Sequence, residues 1–454
     1  MSSNDGSILK LTRYASGSFQ ELWSISWPLM LASLSGTVMI FIDRAVLARY
    51  QSAAFDVCSA VQPWFWTIEA VLMSFVACSE ILVGRFNGAQ LYKKIGPLIW
   101  QMVCLSFLTF FLLIPIAWGA RYLLADNIET LGTPYLRLLL LTLPFEIAGF
   151  GAIGAFFVGR GETKKIPLVL LTGSTINCIL DIWFVFGGCG VPAMGIIGAA
   201  LATNVASLCS FFIFLFLFLK KKYREKYNIL AFSWDRDVFY QCVKIGMPNA
   251  IGYGIVMSGW SIAYQCLSLN LSADMYKAYC VAFTIYNFMF FVMDGMGKGV
   301  GTLCSNFLGA KQNYQLSKVL KQATRLTALF SLGFLLFLCV SDPVVQFLAS
   351  EDFLKNDSFK KQAFLLLWWY GILFGCETLR YCVQSFLIAL LKVKIVLIMN
   401  VLFFWGLVLL PSYYFIVQRH WNAIIYLQLA VFENSLMLFM FFIWYKKCTW
   451  RKIG

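Results

Sequence analysis

Repeated apolar runs, each long enough for a helix to cross a bilayer, constrain this chain more than any other feature. A helix needs about 20 mostly apolar residues to cross roughly 30 Å of hydrocarbon. The runs are too long for transmembrane strands and do not alternate in polarity, which excludes a β-barrel. The predicted spans are Leu22–Ile42, Val57–Leu82, Gly96–Ala120, Pro134–Phe157, Ile166–Phe186, Gly195–Leu219, Val243–Leu267, Tyr279–Leu303, Val319–Val340, Ala363–Leu391, Ile395–Val417 and Trp421–Tyr445.

The composition agrees with a chain surrounded by lipid. Of its 454 residues, 60% are hydrophobic and only 13% are charged, which is about half the charged fraction of a typical soluble domain. The net charge of +14 would suit a nucleic-acid binder, but the basic residues lie in short clusters between uncharged runs. We therefore predict an all-α membrane protein that contacts membrane lipids and no nucleic acid.

The residue types that most enzyme sites require are scarce. His420 is the single histidine, so no histidine cluster can bind zinc or haem. The 14 cysteines include no CxxC pair. No nucleophile has a nearby base in the pattern of a catalytic site. We predict that the protein is not an enzyme, with no catalytic residues, bound metal or organic cofactor.

The basic residues predict the orientation in the membrane. They concentrate in the N-terminal segment, the C-terminal tail and the loops after even-numbered spans. By the positive-inside rule both termini are cytoplasmic. The polar first twenty residues lack the pattern of a cleavable signal, so we expect the first span to direct insertion.

The two halves of the chain resemble each other, which predicts an internal duplication. Three pairs match in order, at offsets of 221, 220 and 229 residues: Phe86–Ala89 with Phe307–Ala310, Pro28 with Pro248, and Lys165-Ile166 with Lys394-Ile395. Parallel repeats with substrate between them are typical of transporters. We predict two six-helix bundles around a central cleft, residues 1–219 and 237–454, joined by a basic cytoplasmic linker, residues 220–236.

Carboxylates inside the spans are the candidate functional residues, because a charge in lipid is costly and faces protein or water. Asn177 and Asp181 are four residues apart, which places both on one face of the fifth helix. They form either a coupling site or a polar staple between helices. Structural ion pairs are predicted for Glu377 with Arg380 and for Asp294 with Lys298. The remaining candidates are Asp43, Glu69, Glu80, Glu146 and Glu433.

Several motifs resemble the multidrug and toxic compound extrusion (MATE) family. They are the run from Asn177 through Asp181 to Gly187, the run from Gly195 to Thr203, the loop Gly159–Pro167, and Trp27-Pro28 with Ile42-Asp43. The resemblance covers nearly the whole chain and is strongest from Gly159 to Thr203. It implies a cation-coupled antiporter, driven by H+ or Na+, that exports small organic compounds, often cationic, across a bacterial inner membrane.

The resemblance also implies the residues of the coupling site. In the DinF-like bacterial branch the coupling residues lie in the N-terminal half, and the matching positions here are Asp43, Asn177, Asp181 and Thr203, with Tyr135. Other branches carry a glutamate in the seventh helix, where this chain has no acid. Arg44 follows Asp43 where the family has a small residue, so Asp43 alternatively serves to neutralise Arg44.

Two further expectations concern the substrate. Aromatic side chains in a cleft stack on flat cations, and the candidates are Trp64, Trp66, Trp260 and Tyr264. The alternative function is a flippase for a lipid-linked oligosaccharide or precursor in the same superfamily. A cleft for anionic headgroups needs several bases inside the spans, and only Arg137, Lys298, Arg325 and Arg380 are available. We expect a monomer.

Overall fold

The computed structural model describes residues 11–124, 126–341, 343–345 and 357–447. These residues are helical apart from short connections and one isolated bridge between Gly188 and Val191. The long helical spans, labelled in chain order, are α1 Phe19–Tyr50, α2 Ser52–Gly88, α3 Tyr92–Tyr122, α4 Ile128–Gly159, α5 Lys165–Phe186, α6 Ile196–Phe218, α7 Arg236–Asn270, α8 Asp274–Gly309, α9 Tyr314–Cys339, α10 Phe359–Ala389, α11 Val393–Gln418 and α12 Ile424–Lys446.

The all-α fold and its predicted spans are confirmed, because each predicted span overlaps one of these helices. Among the described residues, eleven of the spans are long and apolar enough to cross a membrane. The remaining one, α7, is 35 residues long. Glycine and serine are spread along α7, which lowers its hydropathy without preventing a helix.

Several spans are irregular within the membrane. Such irregularities are tolerated in lipid when neighbouring helices satisfy the freed backbone groups. The α2 span is interrupted at one residue, between a segment that ends at Ala77 and a segment that begins at Ser79. The π-helical segments are Ile147–Ile153 in α4 and Phe404–Leu409 and Tyr414–Gln418 in α11.

The chain forms two compact units. The N-unit comprises Leu31–Gly254 with Leu308–Ala310, and the C-unit comprises Met1–Met30, Ile255–Phe307 and Lys311–Gly454. The boundary therefore runs through α1 and α7, and the linker, residues 220–236, belongs to the N-unit. The sequence-based division into 1–219 and 237–454 stays a prediction.

Packing inside the N-unit fixes α4 against α6. At Gly149, in the π-helical segment of α4, an added Cβ would lie 3.1 Å from the Cα of Phe211, so a side chain here would press on the backbone of α6. Phe145 and Phe211 pack edge to face with their centroids 5.5 Å apart. The Thr142 hydroxyl donates to Asn204 Oδ1 at 2.6 Å. These contacts form the frame that supports the polar residues of α5 and α6.

Inside the C-unit, two pairs of oppositely charged side chains lie one turn apart on the same span. Lys298 Nζ lies 2.8 Å from Asp294 Oδ2, one turn away on α8. Arg380 Nη2 lies 3.0 Å from Glu377 Oε1 on α10. Both structural ion pairs predicted from spacing are confirmed.

Candidate functional site

Asp43 of α1 and Asp181 of α5 lie beside one another inside the N-unit. Their carboxyl groups are close enough to interact electrostatically. Asp181 and Asn177 have no exposed surface, and Asp43 is 8% exposed. Because α5 places Asn177 one turn from Asp181, three polar side chains occupy one buried location.

The site is rich in hydrogen-bond acceptors and poor in donors. Four buried oxygens find no hydrogen-bond partner among the described residues: both oxygens of Asp181, Oδ1 of Asp43 and Oδ1 of Asn177. Unsatisfied buried acceptors are costly. A proton or a hard cation that prefers oxygen ligands would satisfy them.

Thr203 of α6 determines which end of the Asn177 amide faces the carboxylates. Asn177 Nδ2 donates to Thr203 Oγ1 at 3.3 Å, and Thr203 Oγ1 donates in turn to the carbonyl of Ala199 at 3.1 Å. One N–H of the amide is thereby used, and the amide oxygen has no partner among the described residues. Thr203 thus orients Asn177 as an acceptor.

Arg44 forms hydrogen bonds with Gln62 of α2. Its Nε and Nη2 donate to Gln62 Oε1 at 2.8 and 2.7 Å, and its guanidinium lies 5.5 Å from the centroid of Trp66. The ion pairs found in the described part of the chain do not include Asp43 with Arg44. The alternative role for Asp43 stays a prediction, although the hydrogen bonds of Arg44 go to Gln62.

Tyr135 of α4 lies next to the two carboxylates. It is 4% exposed, and its hydroxyl is 3.5 Å from the thiol of Cys58 on α2. Both groups are close enough to interact electrostatically with Asp43 and Asp181. Sequence reasoning missed Cys58, because a cysteine in an apolar run carries no signal of this position.

The other carboxylates have different surroundings. Glu69 of α2 and Glu146 of α4 are close enough to interact electrostatically in the N-unit. In the C-unit, Tyr286 donates to Glu377 Oε2, and Arg380 donates to Asn434 Oδ1 at 2.6 Å. The nearby Glu433 interacts electrostatically with Arg380. The residues of the C-unit therefore form a network that contains its own cation, Arg380, whereas the Asp43–Asp181 pair has none among its described partners.

The four aromatic candidates divide between the units. In the N-unit, Trp64 is 45% exposed and Trp66 contacts Arg44. In the C-unit, Trp260 stacks on Phe404 with centroids 5.9 Å apart, and Tyr276 donates to the Tyr264 hydroxyl at 2.7 Å. Their role in binding substrate stays a prediction.

The sequence profile of the MatE family matches residues 28–183 and 250–414, which is more than half of the chain. The chain belongs to the MatE family. The first matched segment contains Asp43, Tyr135, Asn177 and Asp181, whereas Thr203 lies outside both matched segments.

Named relatives and solved structures agree with membership of MatE. The chain is 22% identical to the "Probable multidrug resistance protein NorM" of Thermotoga maritima, over 73% of this chain and 72% of the relative. It is 24% identical to the "Multidrug resistance protein NorM" of Burkholderia vietnamiensis, over 62% of each chain. A MATE family transporter of the MOP superfamily in an outward-facing conformation has the same fold, with a TM-score of 0.84, 16% identity and 96% coverage of both chains.

Membership of this family confirms the resemblance inferred from the sequence motifs. The protein is an integral membrane protein and a transporter, not an enzyme. The assignment to the DinF-like branch and the roles of individual site residues stay predictions.

Proposed function

We propose that the protein is a cation-coupled antiporter that exports small organic compounds, cationic or amphipathic, by alternating access. In this proposal it works as a monomer in a bacterial inner membrane, with both termini in the cytoplasm. The observation that carries the proposal is the group of four unpartnered acceptor oxygens on Asp43, Asn177 and Asp181. The printed names of the relatives, multidrug resistance proteins, support the class of substrate.

The chemistry of the site suggests how coupling works. Two adjacent buried carboxylates repel each other when both are ionised, and one bound proton or Na+ removes that repulsion. Asp43 is on α1 and Asp181 is on α5, so the bound cation changes the interaction between these helices. A ligand that binds one packing of two helices better than another shifts the population toward it. Release of the cation would return the unit to its other packing.

The charges within the spans disfavour the flippase alternative. Lys298 and Arg380 pair with carboxylates of their own helices. Arg137 Nε donates to the carbonyl of Ala117 at 2.8 Å, and Arg325 Nη1 donates to Gln322 Oε1 at 3.2 Å. An anionic headgroup would have to compete with these partners for each of the four bases.

A transport assay tests the proposal. Purified protein in vesicles is given an imposed proton gradient or an imposed Na+ gradient, and movement of a fluorescent organic cation is followed. We expect one of the two gradients to drive accumulation, and the same vesicles with Asp181→Asn to show none. Dye movement that ignores both gradients would contradict antiport.

A further inference from the structure

The linker, residues 220–236, is packed firmly against the N-unit. Tyr223, Tyr227 and Ile229 are at most 3% exposed. The Arg160 guanidinium, at the end of α4, lies 4.7 Å from the Tyr223 centroid and 4.1 Å from the Tyr227 centroid. The Tyr223 hydroxyl donates to Glu162 Oε2 at 2.6 Å. The linker is therefore an ordered surface element.

The linker runs alongside the beginning of α3 and into the span. Lys226 Nζ is 4.3 Å from the ring of Tyr92, where α3 begins. The Gly96 amide donates to the carbonyl of Tyr227 at 3.0 Å, and Trp100 Nε1 donates to the carbonyl of Ile229 at 2.6 Å. Gln101 Nε2 donates to the carbonyl of Asp235 at 3.2 Å, so the linker follows the first turns of α3.

The exposed side chains of the linker are of two kinds, basic and apolar. Its bases up to Lys226 are exposed, whereas past Ile229 three bulky apolar side chains are exposed by half or more and are followed by the exposed Arg236. The linker has only two acids, and Asp235 uses its carboxylate to accept the backbone N–H groups of Asp237 and Val238. The exposed bases are Lys220, Lys221, Lys222, Arg224, Lys226 and Arg236, and the exposed apolar residues are Leu230, Phe232 and Trp234.

We infer that the linker is a docking site for anionic phospholipid in the leaflet on its own side of the membrane. Exposed bases next to exposed apolar side chains match a ligand that has an anionic headgroup and acyl chains. Clustered lysines next to a transmembrane helix attract anionic headgroups, and aromatic rings settle at the interface below. A soluble anion would use the lysines but leave Leu230, Phe232 and Trp234 without a partner, which is why the ligand is a lipid.

Lipid binding to the full-length protein tests this inference without any transport measurement, so its failure leaves the proposed function standing. Native mass spectrometry counts phosphatidylglycerol and phosphatidylethanolamine bound from mixed micelles. The variant Lys220→Gln/Lys221→Gln/Lys222→Gln removes three exposed charges of the linker. The matched control Lys311→Gln/Lys392→Gln/Lys394→Gln removes three exposed charges elsewhere.

We expect wild type to prefer phosphatidylglycerol. The linker variant should lose that preference at least about tenfold, since each lysine near a lipid surface contributes about fivefold, and the control should keep it. Phe232→Ser/Trp234→Ser should also weaken lipid binding, but not the binding of glycerophosphoglycerol, the soluble headgroup.

Three results would overturn the inference. They are no preference in wild type, an equal loss in the control, and full competition by the soluble headgroup. Size-exclusion profiles show that each variant is folded before its lipids are counted.

Discussion

Asp181 is the residue whose substitution separates transport from folding most sharply. Its two oxygens accept no hydrogen bond from the described residues, so Asp181→Asn removes the charge without breaking a bond that the fold needs. We expect the variant to reach wild-type amounts of folded protein and to lose gradient-driven efflux. Asp43→Asn should behave nearly the same, because either substitution leaves only one titratable carboxyl.

Glu433→Gln provides the matched control for charge removal inside a span. Glu433 is 5% exposed and neighbours Arg380 in the C-unit. We expect a smaller effect on efflux than that of Asp181→Asn. Normal efflux by Asp181→Asn at normal expression would contradict the coupling mechanism but not the fold.

Tyr135→Phe should reduce efflux only several-fold. The Tyr135 hydroxyl lies near both carboxylates, but the contact seen for it is with the Cys58 thiol. Removing it changes the polarity around the pair and leaves both titratable groups in place. Initial efflux rates at matched protein amounts give the measurement, and a loss as complete as that of Asp181→Asn would mean that the hydroxyl itself binds the cation.

At this scale the sequence predicted the polar residues better than their partners. Asn177 and Asp181 could be found because a spacing of four in an apolar helix is visible in the chain itself. The partners depend on neighbouring helices: Thr203 determines the orientation of the Asn177 amide, and Gln62 accepts the hydrogen bonds of Arg44. No pattern along one helix specifies which side chain a different helix presents.

At the scale of elements, Gly96 controls how closely the linker approaches α3. An added Cβ would lie 2.4 Å from the carbonyl oxygen of Tyr227 and 2.8 Å from that of Asn228, and both are backbone atoms that cannot rotate away. We expect Gly96→Ala to lower the melting temperature by several degrees and to speed hydrogen exchange in the linker. At Gly119, in the same helix, an added Cβ meets nothing within 4 Å. Gly119→Ala should therefore change neither quantity, and equal effects of the two variants would contradict the tight approach.

Glu162, in the loop between α4 and α5, should make the attachment of the linker sensitive to acid. Burial alone would raise the pKa of Glu162, but the charge of Arg160 and hydrogen bonds from Lys165 and Tyr223 outweigh it and hold this pKa below its ordinary value. A carboxyl with a lowered pKa stabilises the fold above its unfolded pKa of about 4.3, and this contribution is lost as the pH falls through the folded value.

We therefore expect Glu162→Gln to lower the melting temperature at pH 7, where the loss of charge-assisted hydrogen bonds costs about 1–3 kcal/mol. The difference from wild type should close as the pH falls below about 4. Glu225→Gln, an exposed change in the same linker, is the control and should show little difference at either pH. A difference for Glu162→Gln that stays constant with pH would exclude an electrostatic origin.

The existence of the helices could be predicted from the sequence, but their internal irregularities could not. Hydropathy alone locates the spans, because lipid leaves few alternatives to a helix. The π-helical segment Ile147–Ile153 has no signal of its own. It fits where Gly149 meets the backbone of Phe211, so it depends on packing between α4 and α6. The packing of the linker against the N-unit could not be predicted from the sequence either, since its run of lysines is typical of a solvated loop.

At the scale of the whole molecule, the repeated halves keep similar helices but differ in charge. The offsets of the repeat relate Asp43 to Ala263, Asn177 to Gly406 and Asp181 to Leu410, and none of these three carries an acid or an amide. Leu410 is 63% exposed, unlike the fully buried Asp181. A staple required by the shape of six packed helices would be expected in both halves. The polar group of Asp43, Asn177 and Asp181 is present in one half alone, which favours a role in transport.

Loss of a buried charge should therefore affect transport in the N-unit and stability in the C-unit. Arg380 pairs with Glu377 at 3.0 Å and neighbours Glu433, so Arg380→Met leaves two buried carboxylates without their cation. Breaking a buried pair in this way costs about 3–5 kcal/mol. We expect Arg380→Met to reduce the amount and melting temperature of folded protein, while the molecules that do fold keep gradient-driven efflux.

Arg380→Lys, which keeps the charge but loses the planar guanidinium, should fall between wild type and Arg380→Met in stability. Efflux per folded molecule, measured side by side for Arg380→Met and Asp181→Asn, distinguishes a stabilising role of the C-unit network from a role in transport. If Arg380→Met instead folds normally and loses efflux, the C-unit network belongs to the transport machinery. Coupling would then involve both halves, because a purely stabilising network could not stop transport in a protein that has reached its folded state.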